Sequence, residues 1–201
     1  MPDNSKEAVL KVLRGEKADH IPNFSGMGSI TLEGIRQLGY RFNEIHTDAR
    51  KMANAAASTY RLYGMESAVV PFDMGVEAEV LGAEVKYYDK EDDSQIIYPV
   101  MTRKLVDVDA ISAPDDLDER AAKRYAMKEA QRLITEHQWT IPDDLATAGR
   151  FPVVLEALRI LKQELGDEIA IGAWVLGPFT ELGQLMDLEV LLKMTAKSPD
   201  V

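Results

Sequence analysis

The sequence predicts an α/β fold with parallel strands, on two observations. Apolar runs of strand length alternate with helical patterns through most of the 201 residues, the order that builds parallel sheets. The runs near Phe72 and Val175 are apolar throughout rather than alternating, as strands covered on both faces are.

Taken in order, Lys6–Leu13 reads as a first helix, with Asn4 or Ser5 as its N-cap, Val9, Leu10 and Leu13 on one face, and Gly15 as its stop. His20–Gly26 reads as a short strand opening into the glycine-rich loop Gly26-Met27-Gly28. A second helix fits Ile30–Leu38, ended by Gly39. Thr47–Tyr63 has the clearest helical period, with Ala49, Met52, Ala53, Ala56, Tyr60 and Tyr63 at steps of three and four before Gly64. Ser67–Asp73 is a buried strand ending on a carboxylate, followed by a short helix over Met74–Leu81. Strand-like runs at Val85–Tyr88 and Ile96–Val100 flank a charged turn, Asp89–Ser94. Asp115–His137 is a long charged helix, and Pro152–Leu165 an amphipathic one with proline in its first turn. Ile169–Gly177 is an apolar strand; helices follow from Pro178 and over Leu188–Thr195.

Composition removes several function classes. There is no cysteine, so disulfides, iron–sulfur clusters and thiolate zinc sites built from this chain are excluded. The three histidines, His20, His46 and His137, show no metal-ligand spacing. A net charge of −11 with no basic stripe in the sequence argues against nucleic-acid binding. No apolar run approaches the roughly 20 residues of a membrane span, and the N-terminus has no apolar signal region. A cytoplasmic location is the expectation.

Barrel enzymes carry their working residues at the C-terminal ends of strands. Three places fit: Phe24-Ser25-Gly26-Met27-Gly28, Phe72-Asp73-Met74, and Gly177-Pro178-Phe179-Thr180-Glu181. Asp73 stands out. As a carboxylate after a buried strand it suits a ligand N–H or general-base work; as the residue before a helix it equally suits an N-cap, whose loss costs roughly 1 kcal/mol. Gly26 and Gly28 either admit an anion to backbone N–H groups or form a plain loop. Turn chemistry alone also accounts for Gly177–Thr180.

These residues together resemble the uroporphyrinogen decarboxylase superfamily. The resemblance rests on Val9-Leu-Lys-Val-Leu-Arg-Gly15 with Asp19-His-Ile-Pro22, on Phe72-Asp-Met-Gly-Val-Glu-Ala-Glu-Val-Leu-Gly-Ala-Glu-Val85, and on Gly177-Pro-Phe-Thr180. Ile141-Pro-Asp-Asp-Leu145 and Gly149-Arg-Phe-Pro-Val-Val-Leu-Glu-Ala-Leu158 resemble its corrinoid-dependent methyltransferase branch. The resemblance implies that residues 1–201 are the N-terminal half of a (β/α)8 TIM-type barrel, a fold of about 250 residues or more. It implies methyl transfer from a methylated corrinoid protein to a thiol such as coenzyme M, or to tetrahydrofolate. Asp73 would be the catalytic residue. Phe24, Ser25, Gly26, Met27, Met74, Gly177, Pro178, Phe179 and Thr180 would line the substrate or cofactor cavity. The family's zinc, held by a His-x-Cys pair and a later Cys, is implied for the complete enzyme and expected to lie outside this chain. No cofactor is therefore expected on these residues.

Two other functions follow from the same resemblance. In the decarboxylases the residue matching Asp73 hydrogen-bonds tetrapyrrole N–H groups, but their arginine-rich loop is replaced here by Asn23–Ser29, which has no arginine. The third reading is a non-catalytic module that docks a corrinoid protein. A half-barrel by itself is expected to be inactive and to self-associate, with apolar surface exposed near Ala68–Phe72 and Ile169–Val175.

Overall fold

The computed structural model describes residues 4–88, 99–137 and 141–197. It is an α/β chain with two compact units. The first comprises Met1–Val76, Tyr87–Pro99 and Asp144–Val175; the second comprises Glu77–Lys86, Val100–Asp143 and Leu176–Val201.

In the first unit, helix α1 (Ser5–Leu13) starts where Asn4 accepts from the Glu7 N–H. Helix α2 (Leu32–Leu38) is capped by Thr31 and closed by Gly39 in the left-handed conformation. The predicted helix from Thr47 is two elements: a single turn, α3 (Glu44–Thr47), then α4 (Ala49–Tyr63). Asp48 breaks them because it is extended and its side chain caps the Lys51 N–H. Strand β1 (Ser67–Val70) pairs in parallel with β4 (Ala170–Ala173), Ser67 opposite Ala170 and Val70 opposite Ala173. Helix α7 (Phe151–Leu165) leads into β4. The core gathers Ile35, Ile45, Met52, Val70, Ile160, Leu161 and Ile169 from these elements.

The segment 20–26 forms no assigned strand. It nevertheless covers the outer side of β1: the Glu66 N–H donates to the Asn23 carbonyl at 2.7 Å, and the Ser25 N–H to Ser67 Oγ at 2.9 Å. Pro22, and side chains serving as acceptors, leave the ladder incomplete. Ala68–Phe72 is consequently buried, as is Ile169, against the expected exposure. The open edge is that of β4, where Ile171 is half-buried and Val175 is 72% exposed.

Gly28 lies against the end of β1. A Cβ there would fall 2.0 Å from the Pro71 carbonyl oxygen, which also accepts from Trp174 Nε1 at 2.7 Å. Gly28→Ala should therefore cost about 1–3 kcal/mol, the range for overpacking, as a lowered urea midpoint. An unchanged midpoint would show that the loop moves away freely.

In the second unit, β2 (Glu84–Lys86) and β3 (Val100–Arg103) pair antiparallel, so the strands are not all parallel as predicted. They are consecutive, which permits a hairpin-type return; the predicted charged turn and Ile96–Tyr98 lie outside the described residues. Helix α5 (Val76–Val80) spans the unit boundary. Helix α6 (Glu119–Glu136), capped by Asp118, packs on α9 (Leu188–Lys197) through Met127, Ala130, Ile134, Val190 and Met194. Helix α8 (Pro178–Leu185) begins on its proline. No described helix is long and apolar enough to cross a membrane.

Candidate functional site

Beyond β1 the chain turns through Pro71 and Phe72 and delivers Asp73 into the interior of the first unit, where it is 4% exposed. Its carboxylate receives four hydrogen bonds, each of 2.9 Å. Arg150 Nη1 donates to Oδ2 and Nη2 to Oδ1, as a fork. His46 Nδ1 donates to Oδ2, and the Gly75 N–H to Oδ1. An ionised carboxylate offers about four acceptor positions, so this one is filled. Because it only accepts, His46 carries its proton on Nδ1.

His46 and Arg150 are buried too, at 1% and 6% exposure. The guanidinium carbon lies 5.1 Å from the Tyr87 ring centre, a cation–π contact. The His46 ring meets Phe72 edge-on, with centroids 6.1 Å apart. Burial by itself pushes the Asp73 carboxyl up, but the hydrogen bonds of Arg150 and His46, with the charge of Arg150, hold it well below the usual carboxylate range. Chemically, a saturated carboxylate fixes a cation and an imidazole in place. It takes a substrate proton or N–H only by giving up one of these bonds. Capping is therefore only part of what Asp73 does, because its carboxylate also neutralises a buried arginine.

The other predicted site residues fall in different places. Ser25 Oγ accepts from the Met27 N–H and donates to the Met27 carbonyl, so the loop satisfies its own amide there. Gly28 serves close packing. Phe24 and Ser25 are partly buried, Gly26 and Met27 exposed, and Met74 is half-exposed beside Asp73. Gly177, Pro178, Phe179 and Thr180 belong to the second unit and are exposed at the start of α8.

Glu181 follows them. Its carboxylate oxygens are buried and have no hydrogen-bond partner among the described residues, beside an apolar cavity of about 290 Å³ walled by Leu81, Ile141, Pro178, Leu182 and Leu185. Burial first, and the charge of Glu77 second, push the carboxyl up to about 7. A folded-state value above the unfolded one contributes stability below pH ~4.3, lost as pH rises through about 7. Glu181→Gln should flatten that decline and, after allowance for partial solvation, stabilise the chain at pH 8 by ~1 kcal/mol. Melting curves at pH 5 and pH 8 check this; equal shifts at both would contradict it.

Neither Arg150 nor His46 is singled out by the sequence, which shows His46 only as one of three histidines without metal-ligand spacing. One signal was available for Arg150. It immediately precedes α7, where a cation opposes the helix dipole, so it needs another reason to be there. That reason is 77 residues away. Glu181 ends the candidate segment Gly177–Glu181, where the sequence suggests only an early helical turn; Tyr87 carries no comparable signal.

The uroporphyrinogen decarboxylase (URO-D) family model matches residues 4–142 and 135–201. The chain belongs to this family. Among curated relatives of this URO-D chain, the methylated-thiol–coenzyme M methyltransferase of Methanosarcina mazei is 27% identical over 196 residues, covering 98% of this chain and 44% of the relative. A methylcobamide:CoM methyltransferase of Methanosarcina barkeri is 26% identical, covering 98% and 49%. A solved methyltransferase from Methanosarcina mazei superposes with a TM-score of 0.73 at 26% identity, covering 98% of this chain and 49% of that one. This URO-D chain spans less than half the length of the relatives it matches.

Proposed function

We propose that the chain serves in an enzyme that moves a methyl group from a methylated corrinoid, carried on a partner protein, to a thiol acceptor of the coenzyme M type, with tetrahydrofolate the alternative acceptor. The observation that carries this reading is the similarity to methylcobamide:CoM methyltransferases along nearly the whole chain. The loop 23–29 supports it: without arginine, and with its Met27 amide already bonded, it offers no cation to the carboxylates of a uroporphyrinogen. In this reading Asp73 positions His46 and Arg150 beyond the end of β1, while Met74 and the loop before Gly28 face the ligand.

The zinc implied for such an enzyme does not fit the residues described. There is no cysteine, His46 and His20 are bonded to Asp73 and Glu66, and no group of three His, Asp or Glu suited to a metal occurs among the described residues.

The natural gene product, given methylcobalamin and coenzyme M, should demethylate the cobalamin and yield the methyl thioether. Carbon dioxide release from uroporphyrinogen without methyl transfer would overturn the reading. The 201-residue chain alone should give no transfer and should self-associate through the open edge of β4, which pairs with no strand on its outer side among the described residues. Sedimentation at micromolar concentration tests this; a cooperatively unfolding monomer would contradict it.

A further inference from the structure

Along α6, Arg120, Arg124 and Lys128 recur at steps of four, with Lys123 three residues after Arg120, which places them on one broad face of the helix. With Lys193 of α9 they line a groove of about 350 Å³, over Met127. Its single carboxylate, Glu189, is divided between Lys193 at 2.8 Å and Lys123 at 3.4 Å. Arg120, Arg124 and Lys128 form no ion pair among the described residues. Five cations thus face one carboxylate in a chain whose net charge is −11. Scarcity of acid is not the cause, since Arg132, further along the same helix, is paired with both Glu129 and Glu136. Like charges at such spacing oppose helix formation, and a groove of one sign concentrates counter-ions. The stripe escapes a linear reading because Ala121, Ala122, Tyr125 and Ala126 interrupt it; it emerges only at the helical period.

We propose that the α6–α9 groove binds a small polyanion of the diphosphate class. An excess of four positive charges suits a ligand with two or three negative ones, and Arg120 and Arg124 supply the forked donors that phosphoryl oxygens accept. From Arg120 to Lys128 the stripe is about 12 Å long, enough for two or three linked phosphates. A nucleic-acid strand needs a longer track.

Calorimetric titration of the purified chain at low salt tests this, using inorganic pyrophosphate, ADP, orthophosphate and a single-stranded oligonucleotide. Pyrophosphate should bind one to one, at least tenfold more tightly than orthophosphate. The Arg124→Gln/Lys128→Gln/Lys193→Gln variant, with its fold checked by circular dichroism, should lose at least tenfold in affinity. Glu189→Gln removes the competing carboxylate and should gain severalfold. Binding of ADP as tightly as pyrophosphate assigns the diphosphate to a nucleotide; weaker binding assigns it to the free anion. Equal affinity for orthophosphate, indifference to the triple substitution, or displacement of pyrophosphate by a lower concentration of oligonucleotide would each overturn the proposal.

Discussion

Asp73→Ala is expected to lower the unfolding free energy by about 3–5 kcal/mol, the range for removing one partner of a buried ion pair. The loss far exceeds the roughly 1 kcal/mol of a helix cap, because Arg150 is left charged at 6% exposure and His46 Nδ1 loses its acceptor. Asp73→Asn keeps one acceptor oxygen but cannot receive the full fork, so it should fall between alanine and the parent. The pH dependence follows from the depressed carboxyl. A folded-state value below the unfolded one gives stability that is complete above about pH 4 and lost as pH falls further. The gap between parent and Asp73→Asn should thus be widest near neutrality and close on acidification. Urea unfolding at pH 7 and at pH 3 measures both quantities.

Arg150→Met should be about as costly, 3–5 kcal/mol, since it strands a buried carboxylate. Its deficit should also shrink on acidification, because protonated Asp73 needs no cation. Arg150→Lys separates charge from geometry. Lysine restores the charge but cannot give two parallel bonds or lie flat on the Tyr87 ring. It should recover less than half of the loss. Full recovery by lysine would mean that charge alone matters at this position.

Much of the fold was legible because the signals were local. The stop at Gly39, the cap at Asn4 and the proline start of α8 each act within a few residues, and the period of Ala49–Tyr63 is unbroken. The failures share a cause. Residues 20–26 have strand-like composition, but their pairing with β1 is made partly by Ser67 Oγ and Glu66 side-chain oxygens, which no periodicity registers. The break at Asp48 was missed because Thr47 continues the helical pattern while Asp48 competes with it as a cap. At the site, Asp73 could be singled out by its place after an apolar strand. What it does depends on partners 27 and 77 residues away, and contacts at such separations leave no trace in spacing.

A double-mutant cycle on Asp73 and Arg150 tests the central claim, that the carboxylate beyond β1 and the arginine before α7 form one buried ionic unit. Unfolding free energies would be measured for the parent, Asp73→Ala, Arg150→Met and the double variant. The predicted result is a double variant less destabilised than the sum of the single ones by at least about 2 kcal/mol, because the second substitution removes the buried charge that the first left without its forked partner. Additivity within ~0.5 kcal/mol would contradict the account, since independent sites behave that way.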